Sequence, residues 1–256
     1  MTVHTFDTMG TVASLRTREP LSAERLAAVE GVFRRYDRTY SLYDPVSDLS
    51  RIARGELRLV ASSPEVRDTY ALALSWRDDT GGLFTPHRPD GIIDLSGVVK
   101  ALAIDEAGRI LDSELDDWLL TVGGDMLGRC PSGSPGWNVG VIDPDDRERL
   151  LGVTTIGEHR AALATSGTAE RGDHIWSRHG RPHFVQASVA AADIITADVL
   201  ATAIISGACG DLDDLTARWD IDVVTVDRDG RRRATPGARA WMRAPRRVTV
   251  SLVPGS

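Results

Sequence analysis

Lysine is almost missing from this chain. Among 30 lysines and arginines in 256 residues, Lys100 is the only lysine, and every other cation of that kind is an arginine. Basic charge is also in deficit: the formal net charge is −7, with no long basic block, which argues against nucleic acid as the main partner. The short run Arg231-Arg232-Arg233 and the cluster Arg243, Arg246 and Arg247 read as solvated edges instead. The two cysteines, Cys130 and Cys209, are too few for a disulfide framework and lack metal-site spacing, which suits a reduced cytosolic protein. No apolar stretch reaches transmembrane length, and residues 1–20 carry charges instead of a sustained apolar run. A cytoplasmic protein without membrane insertion is expected. Repeats, linkers and low-complexity segments are absent as well, and one domain over residues 1–256 is expected.

What is present centres on Asp94-Leu95-Ser96-Gly97-Val98-Val99-Lys100. The apolar Gly91-Ile92-Ile93 precedes it, and Val99, Ala103, Ala107, Ile110 and Leu111 follow at helical spacing. This pattern predicts a strand, a tight Ser-Gly turn and a helix. A lone lysine in the first helical turn, beside free amides and the positive dipole end, suits a phosphate-bearing ligand. A surface lysine retained by chance in an arginine-biased chain is the alternative.

Elsewhere, loose alternation over 1–17 surrounds a turn at Thr8-Met9-Gly10-Thr11. Ser22 and the Ser63-Pro64 pair start helices, the first running to about residue 36. Residues 47–52 can form a helical turn. Strands are expected at 118–122, 137–142, 150–156, 161–165, 185–189, 221–226 and 248–253, with an apolar helix over 192–206. Helices interspersed among antiparallel-type runs favour an α+β fold, with mixed, largely antiparallel sheets packed against helices.

Several groups could carry chemistry. Asp198 and Thr202 stand one turn apart on the 192–206 helix, an all-oxygen pair of the kind Mg²⁺ accepts. By themselves, however, they are more commonly an Asp serving a neighbouring helix end and a Thr bonded to its own helix. Gly123-Gly124-Asp125 follows an apolar strand, where backbone can approach a ligand and a carboxylate can orient it. Ser166-Gly167, ending Ala164-Thr165-Ser166-Gly167, could line an anion site or simply end a strand. His174, in a polar loop with Glu170, Arg171 and Asp173, is a candidate general base. Neither G-x-G-x-x-G, a Walker A loop, G-x-S-x-G nor His-Glu-x-x-His occurs.

Taken in order, these pieces resemble the ApbE-type flavin transferases, FAD:protein FMN transferases. Phe6 with Met9-Gly10-Thr11 is similar to the family's F-x-x-M-G-T, and Tyr40-Ser41-Leu42-Tyr43 to its aromatic/Ser-x-Leu segment. The Asp94–Lys100 stretch resembles its D-x-S-G-hydrophobic-hydrophobic-K signature. Val122-Gly123-Gly124-Asp125, Ala164-Thr165-Ser166-Gly167 and Ala197-Asp198-Val199-Leu200-Ala201-Thr202 follow in register. The resemblance implies an α+β enzyme that uses Mg²⁺, takes FAD as substrate and attaches FMN to a Thr or Ser hydroxyl of an acceptor flavoprotein, releasing AMP. It implies metal ligands Asp198, Thr202 and a backbone carbonyl near Val99. It implies catalytic roles for Lys100, Asp125 and His174. Flavin-nucleotide contacts would come from Met9, Gly10, Thr11, Tyr43, Asp94, Ser96, Gly123, Gly124, Asp125, Ser166 and Gly167. Ala53, Ala101 and a short 174–180 loop depart from the family pattern. Alternatives are an FAD diphosphatase giving FMN and AMP, or a non-catalytic FAD-binding protein.

Overall fold

The structure, a computed structural model, describes residues 1–167 and 182–243. Its larger sheet is built from β1 Thr2–Thr8, β2 Thr11–Thr17, β3 Trp118–Val122, β4 Asp125–Arg129, β7 Ala162–Gly167, β8 Phe184–Ala191, β9 Asp222–Asp227 and β10 Arg232–Ala234. These eight strands lie in the order β1-β2-β3-β4-β7-β8-β9-β10, and every neighbouring pair is antiparallel. A separate ribbon pairs β5 Trp137–Ile142 with β6 Leu150–Ile156. The helices are α1 Ala23–Tyr40, α2 Asp48–Ala53, α3 Pro64–Asp79, α4 Ser96–Asp112, α5 Ile194–Ser206 and α6 Cys209–Arg218. None of the helices described is long and apolar enough to cross a membrane.

The central strands of the sheet are buried on both faces. On β3, Leu120 joins Phe33, Val99, Ile104 and Leu200 in the helix-side core, while Leu119 joins Val139, Ile156, Leu163 and Trp241 on the other. Alternation therefore accounts for an uninterrupted apolar strand: each face has its own hydrophobic partner. Helix α5 packs on β7, β8 and α4, so it is covered along nearly its whole length and needs apolar residues all round.

Local chemistry starts the helices. The side chains of Ser22, Ser47 and Ser63 accept from the backbone N–H groups of Arg25, Ser50 and Val66, and Asp193 accepts from Thr196. The apolar helix thus begins at Ile194, just after its cap, instead of at residue 192.

Several elements differ from expectation. Residues 91–93 form no strand and contribute one isolated bridge, His87 to Ile93. Helix α4 starts at Ser96, because the Asp94 carboxylate accepts from Ser96 N–H (2.9 Å); Ser96-Gly97 is the first turn of the helix and not a turn before it. Gly123-Gly124 is a turn into a strand not expected from the pattern, β4, with Val122 opposite Asp125. Helix α6 was hidden by Gly207 and Gly210; Asp211, accepting from Ala208 N–H at 2.7 Å, restarts the chain as a helix. The partner of β9 is β10, reached through the Asp229-Gly230 turn; residues 248–253 lie outside the described residues. Arg232 sits on that edge strand and pairs with Asp143 at 3.0 Å.

Candidate active site

Two hairpin tips meet at one end of the sheet. The β1–β2 turn holds Met9 at φ 47° and Gly10 at φ 72°, the doubly left-handed pattern that matches strand twist in two-residue hairpins. The β3–β4 turn has Gly123 at φ 59°, the first central position, which a II′ turn reserves for glycine. Because β2 pairs with β3, the tips are neighbours: Gly123 N–H donates to Val12 O (3.2 Å), and a Cβ on Gly123 would stand 3.1 Å from Thr11 Oγ1. Met9-Gly10-Thr11 and Gly123-Gly124 are therefore brought together.

Asp125 opens β4 on the helix side of the sheet and is fully buried. Lys100, one full turn into α4 and not in its first turn, places its Nζ 2.5 Å from Asp125 Oδ2. The other oxygen, Oδ1, accepts from Thr165 N–H on β7 at 3.1 Å. A buried carboxylate needs both kinds of compensation, a counter-charge and a donor. Lys100 is thus engaged with a carboxylate and is not held out to solvent. The remaining helix-start amides are largely committed too: Val98 and Val99 N–H both reach Leu95 O (3.0 Å each), and Asp94 takes Ser96 N–H.

Strand alternation separates the two hydroxyls of Thr165-Ser166. Thr165 Oγ1 lies 2.9 Å from Ser188 Oγ across the β7–β8 pair, while Ser166 Oγ faces α5 and lies 3.2 Å from Thr202 Oγ1. Asp198, fully buried, is one turn before Thr202 on α5. Gly167 ends β7 opposite Gln186 at the same end of the sheet. A continuous path of contacts thus runs from Lys100 through Asp125, Thr165 and Ser166 to Thr202, linking α4, β4, β7 and α5.

Other expected residues stand apart from that path. Tyr43 is 88 % exposed, and no hydrogen bond or ring contact joins its side chain to another described residue. Asp94 and Ser96 engage each other at the head of α4. The Val99 side chain is core, and its carbonyl lies within the helical ladder of α4, where a second lone pair remains for another partner. His174 lies outside the described residues.

Sequence reasoning missed three supporting residues. Thr165 N–H is the donor that fixes Asp125; the signal was its place in a strand antiparallel to β4. Gly97 is needed because a Cβ there would meet Phe84 Cε2 at 2.8 Å, so Phe84 can seat against the first turn of α4. Ser206 Oγ donates to Leu83 O at 2.7 Å, tying the chain before that turn to the end of α5. For the Phe84 contact, the visible hint was a glycine inside a helix.

Among the described residues, no group of three or more His, Cys, Asp or Glu side chains converges as a metal cluster. The oxygen donors at this end of α5 are one carboxylate, Asp198, with the hydroxyls of Thr202 and Ser166 nearby. That donor set fits Mg²⁺, which takes one or two carboxylates and fills its shell with water and phosphate oxygens.

The model of the ApbE family matches residues 9–89 and 85–218, and the chain belongs to that family. None of the curated proteins matches it. Among solved structures, the ApbE protein from Thermotoga maritima is 18 % identical with a TM-score of 0.79, covering 95 % of this chain and 99 % of its own. The flavin transferase ApbE from Vibrio cholerae is 17 % identical with a TM-score of 0.74, covering 94 % and 98 %. The apo flavinyl transferase ApbE from Pseudomonas stutzeri is 18 % identical with a TM-score of 0.73, covering 95 % and 98 %. At these identities the likeness is one of fold, and it agrees with the expected α+β architecture.

Proposed function

We propose that this chain is a Mg²⁺-dependent FAD:protein FMN transferase, moving FMN from FAD to a Thr or Ser hydroxyl of an acceptor protein. The observation that carries this reading is the path from Lys100 through Asp125 and Ser166 to Thr202, lying at the sheet end where the two glycine hairpin tips meet. In the reaction the acceptor oxygen bonds to the FMN phosphorus, the bond from that phosphorus to the bridging oxygen breaks, and AMP leaves. His174 is the base assigned to the acceptor's proton. Such a transfer depends on positioning and charge neutralisation more than on covalent help from the protein.

Asp198, Thr202 and the Val99 carbonyl would hold Mg²⁺, which supplies positive charge to the diphosphate oxygens when bound. Ser166 orients the Thr202 hydroxyl. Lys100 and Asp125 neutralise each other and lock α4 against β4 and β7, so the helix that carries Val99 keeps a fixed distance from α5. The tips at Met9-Gly10-Thr11 and Gly123-Gly124 offer backbone that a nucleotide can approach closely.

The test is incubation of the full chain with FAD and Mg²⁺, with and without an acceptor flavoprotein, following AMP by chromatography and FMN on the acceptor by mass spectrometry. AMP with acceptor-bound FMN supports the transferase. AMP with free FMN would indicate a diphosphatase, intact FAD retained by the protein would indicate a binder, and no FAD binding would remove the flavin reading altogether.

A further inference from the structure

Cys209 and His183 form a thiol–imidazole couple. Cys209 Sγ lies 3.0 Å from His183 Nε2, although the two residues belong to different elements, the first turn of α6 and the residue just before β8. One contact holds the imidazole ring and another the backbone just before it. Its ring meets Phe184, which is fully buried, edge-on at 4.7 Å, and the preceding Pro182 carbonyl accepts from Arg228 Nε at 2.6 Å. The thiol is half-buried and its neighbour Gly210 faces open space, so a small reagent can reach the sulfur. Cys209 is the first residue of a ten-residue helix whose start is closed by the Asp211 carboxylate, which accepts from Ala208 N–H at 2.7 Å, so the imidazole is the group left to act on the thiol. An imidazole within hydrogen-bonding reach of a thiol can take its proton as the sulfur attacks. The other cysteine provides the contrast: burial pushes the Cys130 thiol up, with Asp117 and Glu158 adding to the effect.

We propose that Cys209 is a modification site, a nucleophilic thiol that exchanges with low-molecular-weight disulfides, with His183 as its base. His183 Nε2 takes the thiol proton. The Cys209 sulfur then attacks one sulfur of the disulfide RSSR, a Cys209–S–S–R bond forms, and the other RS group leaves as a thiolate that collects the proton. One S–S bond is made and one is broken; the Cys209 sulfur is oxidised and the departing RS sulfur reduced, so the disulfide is itself the oxidant and no other enters. The proton acceptor and the nucleophile are contributed by the fold; the disulfide is the only co-reactant.

The test treats the full-length chain with a limiting amount of hydroxyethyl disulfide near neutral pH and locates the adduct by peptide mass spectrometry. Cys209 should react about tenfold faster than Cys130, as expected when a base beside the sulfur takes its proton during the attack. His183→Gln, at an exposed position, should remove most of that advantage, and Cys209→Ser should leave only the slow Cys130 adduct. Thermal unfolding of each variant checks that the fold persists. Equal rates at the two cysteines in the unmodified sequence, which needs no variant, would overturn the proposal. So would a Cys209 rate unchanged by His183→Gln in a folded protein.

Discussion

Lys100 Nζ lies 2.5 Å from Asp125 Oδ2, and this pairing resolves two oddities together: why the chain keeps its one lysine, and how a fully buried aspartate is tolerated. Arginine would bring a planar fork where the carboxylate already gives its other oxygen to Thr165 N–H. A compact ammonium on a flexible stem fits the remaining side of the carboxylate. Lys100→Met should therefore cost about 3 kcal/mol or more, since it strands a buried charge. Asp125→Asn in the same chain should recover at least half of that loss, because the amide oxygen still accepts from Thr165. Urea unfolding of the two single variants and the double variant checks this. Additive losses would show that the two side chains do not act as a pair.

The two hairpin tips make a second claim testable. Gly123 carries both a left-handed φ and a close neighbour, since a methyl added there would stand 3.1 Å from Thr11 Oγ1. Gly123→Ala should lower stability by about 1–2 kcal/mol. Thr11→Ala combined with Gly123→Ala should return only the part due to crowding, and Gly123→Asn should cost less in backbone terms, since Asn visits that region more readily. Melting temperatures of the three variants separate the two contributions.

Much of this was legible in the residues themselves. Serine caps before α1, α2 and α3, the alternating or fully apolar strands, and the Asp198–Thr202 spacing all follow from local rules. What local rules could not show was pairing between distant elements. Nothing near Asp125 reveals that Lys100 neutralises it, because the contact depends on α4 crossing β4. The Thr165-Ser166 pair looked like two equivalent hydroxyls until strand register sent one to Ser188 and the other to Thr202. Helix α6 was missed because two glycines outweighed a short amphipathic pattern, and tertiary contact overrode that punctuation.

Gly97 offers a third prediction. The ring packed against it leaves no room for a methyl, since Phe84 Cε2 would be 2.8 Å away and Phe84 is itself buried. Gly97→Ala gains helix propensity worth about 1 kcal/mol, yet crowding of a packed ring costs about 1–3 kcal/mol. The net should be a loss. Phe84→Leu in the Gly97→Ala background should restore part of it, as read by chemical denaturation, whereas a stabilised Gly97→Ala would mean the ring moves freely.

His87 gives a pH dependence with a definite sign. Burial pushes its imidazole below the usual histidine range, and Arg77 adds to the effect, while Tyr70 Oη lies 2.9 Å from Nε2. The unfolded chain then binds this proton more readily than the folded one. The resulting stability is present above the ordinary histidine pKa of about 6.5 and declines as pH falls below it toward the folded value. His87→Gln should flatten the slope of unfolding free energy between roughly pH 7 and pH 5. An unchanged slope would assign that pH dependence to other groups.

Asp198 and Thr202 carry the metal proposal, and their variants distinguish a binding role from a structural one. Thr202→Val keeps the shape but removes the hydroxyl that Ser166 meets at 3.2 Å, at a structural cost of about 1 kcal/mol. Thr202→Ser keeps the hydroxyl. If the hydroxyl is a ligand, Thr202→Val should weaken Mg²⁺ binding by roughly 10- to 100-fold, while Thr202→Ser stays near the parent. Asp198→Asn should abolish Mg²⁺ binding, because an amide cannot supply the anionic oxygen that a hard dication requires. Isothermal calorimetry with Mg²⁺ reads this without turnover, and thermal shifts with and without Mg²⁺ give a second measure, since a ligand that binds only the folded state raises its stability. AMP release from FAD should fall in the same order, from parent and Thr202→Ser through Thr202→Val to Asp198→Asn. Loss of stability without loss of Mg²⁺ binding would return both residues to the core of α5 and leave the diphosphate chemistry to other groups.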